Sequence, residues 1–114
     1  TLEATGFAEN YRCLLGRIQE KTEARLVCMG PFIFPQPLEY SRWIPIIRKI
    51  EETEQRIAGE HHALFLPLHD LLNQEAQRAG YDGITPDGIH LTWEGAGVVA
   101  RTWIREVDRA RIFS

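Results

Sequence analysis

Two side chains with the right types and spacing for chemistry stand close together in one loop. Asp87 and His90 lie three residues apart in a glycine-rich stretch from Gly80 to His90, with Gly88 between them. In a tight turn of that length the carboxylate can fold back onto the imidazole Nδ1–H. Such a bond fixes the tautomer and leaves Nε2 as a general base, the part an Asp–His pair plays in serine acyl transfer. The alternative is an Asp that caps a turn beside an incidental His, and the bare spacing does not separate the two. Trp93, three residues beyond His90, offers a ring that could stack on a sugar or an apolar acyl group, or equally pack in the core.

Other candidate groups read as structural. His61 and His62 with His69 and Asp70 contain metal-ligand types, but His69-Asp70 follows an apolar run. The four read as surface and strand-end residues, and no metal or other cofactor is expected. Arg101, Arg105 and Arg109 form an i, i+4, i+8 stripe that could meet phosphate. Glu106 and Asp108 interrupt its field, so a solvated helix face is expected and no nucleic-acid partner. Cys13 falls on a helix and Cys28 on a strand, neither with a His or basic neighbour in sequence, so both are expected to pack inertly. Trp43 begins an apolar stripe and is expected in the core.

The elements that must position these residues follow from periodicity. Phe7, Tyr11, Leu14, Leu15 and Ile18 form one stripe of a helix over 6–22. Residues 25–29 are a short continuous apolar run, the pattern of a strand buried on both faces. Three prolines within 31–37 forbid regular structure there, and a loop so apolar should pack against something. A helix is expected over 41–58, with Ser41 as N-cap, Pro45 in the first turn, Trp43, Ile46, Ile47, Ile50 and Ile57 on one side and Gly59 as its stop. Residues 63–67 are a second buried strand, 71–79 a short helix ended by Gly80, and 93–109 a last helix with Val99, Trp103, Ile104 and Val107 inward. Alternation of this kind predicts an α/β fold with a parallel sheet. The two strands should be parallel neighbours. Two strands alone cannot cover both faces and both edges of such a sheet, so further strands are expected from elsewhere.

The stretch Thr85-Pro86-Asp87-Gly88-Ile89-His90-Leu91-Thr92, with Gly95 and a C-terminal helix after it, resembles the last motif block of the SGNH hydrolases, the GDSL-type esterases and lipases. Residues 24–32 and 63–70 are similar to that family's fourth and fifth strands with their following loops. The resemblance implies a three-layer α/β/α, flavodoxin-like fold of which residues 1–114 supply the last two strands and their helices. It implies a carboxylic ester hydrolase in which Asp87 and His90 are triad members, with no cofactor. The substrate would be a small ester, such as an acetylated carbohydrate or another acyl ester, with Trp93 near it. The family's Gly-Asp-Ser block and Gly-x-Asn-Asp block are not in this sequence. Its serines are Ser41, at a helix start, and Ser114, the last residue, while Asn10 and Asn73 sit in helical patterns. The nucleophile and the oxyanion hole are therefore expected from an upstream segment or another chain.

Length and composition agree. One domain accommodates 114 residues, 44% hydrophobic and 25% charged, which excludes intrinsic disorder. A net charge of −3 gives no pull towards nucleic acid or acidic membranes. Apolar runs are far shorter than the roughly 20 residues of a membrane span. Two cysteines form neither a disulfide framework nor a zinc knuckle, so a thiol-tolerant, cytoplasmic compartment is the plain expectation. Thr1 is no initiator Met, and a removed targeting segment is compatible with that. Two rivals to the esterase remain: a non-catalytic α/β binding or signalling module in which Asp87 and His90 only shape a turn, and an assembly piece active only with a second chain carrying the serine.

Overall fold

In the computed structural model, which describes residues 6–112, the chain alternates helices and short strands. Helix α1 (Phe7–Lys21) leads to strand β1 (Val27–Met29). An irregular strap, 30–37, then runs into a 3-10 turn (Leu38–Trp43) and directly on into α2 (Ile44–Glu60). Strand β2 (Leu64–Leu66), α3 (Leu68–Ala79), the single turn α4 (Tyr81–Ile84) and α5 (Trp93–Arg109) complete it. The strands are parallel neighbours, paired Val27 with Leu64, Cys28 with Phe65 and Met29 with Leu66. Leu64 N–H donates to Leu26 O at 3.0 Å and Gly30 N–H to Leu66 O at 2.9 Å, extending the ladder past both ends.

Side chains alternate across the sheet as a pleated strand requires. Cys28 and Phe65 face one side, where Leu15 of α1 and Ile57 and Ala58 of α2 close over them. Val27, Leu64 and Leu66 face the other, against Phe34 of the strap, Leu68, Leu72 and Ala76 of α3, Ile84 of α4 and Val98, Val99 and Trp103 of α5. The result is an α/β/α sandwich over a parallel sheet of two strands among the described residues. No described helix is long and apolar enough to cross a membrane.

Several sequence expectations shift here for physical reasons. Strand β1 is not buried along its whole length, because Met29 is 48% exposed beside an apolar groove formed with Val99, Trp103 and Ile104 of α5. Ile104 is exposed for the same reason. Ser41 does not cap α2, since the 3-10 turn passes straight into the helix without a break for a cap. Burial on α2 is confined to Thr53, Glu54, Ile57 and Ala58, where the helix meets α1 and the sheet. Ile46 and Trp43 lie before that contact and stay exposed, so Trp43 is not a core residue. Gly59 is within α2, and the left-handed residue that turns the chain is His62, φ 56°. Helix α3 starts three residues earlier than periodicity indicates, at Leu68. Cys28 is buried as expected, whereas Cys13 is exposed. Ser114 lies outside the described residues.

Phe34 is the hinge between strap and core. It is fully buried, with Phe32 and Tyr81 packed edge-on at 5.8 and 6.2 Å between ring centroids. Phe34→Ala should cost about 3–5 kcal/mol of unfolding free energy, as expected for truncating a buried aromatic. Leu14→Ala, on the exposed side of α1, should stay within about 0.5 kcal/mol. Denaturant midpoints at unchanged slope are the measurement.

Candidate active site

The loop between α4 and α5 is built by its own short polar side chains. Thr85, buried at 4% exposure, accepts the Gly88 N–H at 2.8 Å and donates its hydroxyl to His90 O at 2.5 Å. Asp87 Oδ1 accepts the backbone N–H of Ile89 at 2.9 Å and of His90 at 2.8 Å, an Asx-type turn. Thr92 ends the loop as N-cap of α5, accepting Gly95 N–H at 3.0 Å while its hydroxyl donates to Gly83 O at 2.7 Å. These bonds leave the loop little freedom.

Within that frame Asp87 Oδ2 stands 2.6 Å from His90 Nδ1. Beside a carboxylate Nδ1 carries the proton, so Nε2 bears the lone pair. The His90 side chain is 77% exposed, and no described group is in hydrogen-bond contact with Nε2. Asp87 is held ionised. The His90 backbone N–H, then the His90 ring, then the Ile89 N–H lower its carboxyl to about 2. The sequence thus brings together the two side chains it singled out, in the geometry a general base and its orienting carboxylate need. Trp93 occupies the first position of α5 and is 95% exposed, so it belongs to the surface beside His90 and not to the core.

The strap fixes this loop from behind. Phe34 N–H donates to Gly88 O at 3.2 Å. Gly88 has φ +92°, and a Cβ there would lie 2.0 Å from Gln36 O and 3.0 Å from the Tyr40 ring. The strap in turn is clamped by α3: Ile33 N–H donates to His69 Nδ1 at 3.3 Å, and Asn73 Nδ2 donates to Ile33 O at 3.0 Å. Between strap and loop lies a cavity of about 220 Å³ lined by Gln36, Pro37, Tyr81, Asp82, Thr85 and Asp87 among others.

The remaining candidates go elsewhere. His69 is a buried neutral imidazole, its pKa lowered first by burial and then by Arg48. Asp70 takes both Arg48 guanidinium nitrogens, at 2.6 and 3.1 Å, which lowers its carboxyl. His61 Nδ1 lies 2.9 Å from Ile57 O, at the end of α2. No group of three His, Cys, Asp or Glu able to hold a metal ion occurs among the described residues. Arg105 and Arg109 both lie about Glu106, at 3.6 and 3.5 Å, as a solvated face would. Sequence reasoning missed Thr85 as the organiser of the loop, the His69–Asn73 clamp and the Tyr40–Gly88 contact. Only the first left a signal, a Thr-Pro-Asp-Gly turn.

No protein-family model and no curated protein sequence matches the chain. Solved structures do share its fold. A protein described as a GDSL-like lipase, from Parabacteroides merdae, superposes with a TM-score of 0.81 at 21% identity, over 89% of this chain and 48% of that one. An acetylxylan esterase from Geobacillus stearothermophilus, in two catalytic mutants that replace a histidine and a serine by alanine, gives TM-scores of 0.74 and 0.74. Identity is 17% and 18%, over 88% of this chain and 45% of those. The likeness is one of fold, and it is the GDSL-type fold that residues 85–92 imply. The chain spans about half the length of these solved chains.

Two measurements test the geometry. In a pH titration of carboxyl carbon shifts, Asp87 should titrate near 2. Because its folded value is lowered, its stabilisation of the loop is fully present above the ordinary carboxylate range and is lost as pH falls through about 2. An ordinary midpoint for Asp87 contradicts the bonds described. Gly88→Ala should lower thermal stability and perturb the amide signals of Gln36, Tyr40 and His90 together, since backbone at 2.0 Å cannot yield and φ +92° strains any side chain.

Proposed function

We propose that this chain is the C-terminal, Asp–His-bearing part of a single SGNH-type domain that hydrolyses carboxylic esters through a serine acyl-enzyme. The observation that carries the reading is the 2.6 Å contact between Asp87 and His90, with Nε2 turned outward. Nε2 takes the proton of a serine hydroxyl as that oxygen attacks the ester carbonyl. The imidazolium then returns the proton to the leaving alkoxide, and His90 repeats the step with water to free the acid. Asp87 holds the tautomer and stabilises the imidazolium. It acts through His90 and does not touch substrate. The serine and the oxyanion-hole donors come from polypeptide beyond this chain, supplied upstream or by a partner. The half-length match to esterase structures supports this division. So do the histidine and serine mutants described as catalytic in the acetylxylan esterase. That esterase also supports acetyl esters of carbohydrates as the substrate class, with Trp93 at the rim of the site.

The test is ester hydrolysis by the 114-residue chain and by the protein assembled with the serine-bearing segment. The chain alone should turn over an activated acetyl ester no faster than free imidazole. The assembled protein should be active, and His90→Ala should remove roughly 10⁶ of kcat while Asp87→Asn removes roughly 10⁴, because members of such a unit act together. Activity that survives His90→Ala, or strong turnover by the chain alone, defeats the proposal.

A further inference from the structure

We propose that Trp43, backed by Tyr40, is the stacking platform for a saccharide ring of the substrate, with Gln36 and Asp82 taking its hydroxyls. The inference rests on the esterase reading and adds to it the residues that select the alcohol side. Trp43 is 42% exposed although it stacks on Tyr40, centroids 5.0 Å apart and planes 15° from parallel. One face of its indole is therefore covered by a ring, and the residue still keeps a large open surface. Tyr40 in turn lies against Gly88, where a Cβ would meet its ring carbons at 3.0 Å. The platform is thus pinned to the loop that carries the Asp87–His90 pair. Gly88 is two residues from His90 and each step of chain spans about 3.8 Å, so through the Tyr40 contact and the 5.0 Å stack the Trp43 ring lies within about 20 Å of the His90 backbone. A short oligosaccharide covers that reach.

The neighbouring chemistry decides the ligand class. The cavity of about 220 Å³ between strap and loop is lined by an amide, Gln36, a phenol, Tyr81, a hydroxyl, Thr85, and the carboxylates of Asp82 and Asp87. An alkyl chain lodged there would strip water from the polar ends of Gln36, Tyr81 and Asp82 without replacing its hydrogen bonds, at about 1–3 kcal/mol for each group left unpaired. An anion would face two carboxylates. A sugar fits both halves: its C–H face lies on indole, which prefers flat apolar partners, and its hydroxyls donate to carboxylate and accept from amide. Large apolar residues exposed in one region mark binding surfaces, and Leu38 and Trp43 on the 3-10 turn and Ile89 and Trp93 beside His90 are all exposed.

The 114-residue chain is titrated with xylotetraose and, in parallel, with octanoate, by calorimetry and by the indole N–H signals of the three tryptophans. Saturable binding of xylotetraose is expected, with the Trp43 indole signal shifting. Trp43→Ala should weaken it at least tenfold, Trp43→Phe should restore part, and Gln36→Ala and Asp82→Asn should each weaken it several-fold, all with unchanged far-ultraviolet dichroism. No saccharide binding, binding indifferent to Trp43→Ala, or octanoate displacing the sugar at Trp43 overturns the proposal. The assembled enzyme separates this from the esterase reading. Turnover of 4-nitrophenyl acetate with no effect of Trp43→Ala on KM for acetylated xylo-oligosaccharide defeats the platform and leaves the esterase. Saccharide bound at Trp43 without any ester hydrolysis defeats the esterase and leaves the platform.

Discussion

The contact on which the site depends is the approach of Gly88 to the carbonyl of Gln36. It is closer than any side chain allows, since even a methyl group at Gly88 would fall 2.0 Å from that oxygen. Bringing two backbones so near lets Phe34 N–H reach Gly88 O and puts the Tyr40 ring on the loop. Local bonds from Thr85 and Asp87 give the loop its shape, but they cannot say where that shape sits relative to the sheet. The Gly88 contact does. A positive φ at that one position makes the two requirements compatible.

The strap must itself be fixed, and the balance of forces shows how. The exposed ion pairs, Arg12 with Glu60 and Arg48 with Asp70, join α1 to α2 and α2 to α3, yet pairs so open to water contribute about 0–1 kcal/mol each. Phe34, Leu66 and Leu72 are almost wholly removed from water, and burying such a side chain is worth about 1.5–3 kcal/mol. Burial therefore sets the depth of the strap, and the hydrogen bonds of His69 and Asn73 to the two polar groups of Ile33 set its register. A three-proline segment could not satisfy that backbone from within, because proline carries no N–H.

The parts of this structure legible in the sequence are those specified locally. Asp87, Gly88 and His90 form a turn from residues within three positions of one another, and the bounds of α5 are legible from the helical spacing of Val99, Trp103 and Val107. The paired strands are legible because short continuous apolar runs between helices have few other uses. What stayed hidden depends on partners distant in the chain. Trp43 reads as core from its helical spacing, but full burial on α2 begins only at Thr53, and no local rule reveals that. His69 reads as a strand-end histidine until Ile33, thirty-six residues away, is seen to donate to it. Met29 completes an apolar run, and its exposure is a matter of which element stands opposite.

His69 and His90 make opposite use of the same ring nitrogen. His69 Nδ1 receives a backbone N–H, so its lone pair is consumed there and its proton sits on Nε2. Burial lowers its pKa further, which keeps it a neutral acceptor and makes it a fastener. His90 Nδ1 faces a carboxylate, so its proton is consumed there and its lone pair is left on Nε2, pointing into water. A base needs an available lone pair and a partner that stabilises the charge it acquires. Of these two histidines His90 has both, and its backbone N–H, its ring and the Ile89 N–H hold Asp87 ionised well below the ordinary carboxylate range. The same side chain, turned end for end, locks the strap in one place and in the other offers an open lone pair beside it.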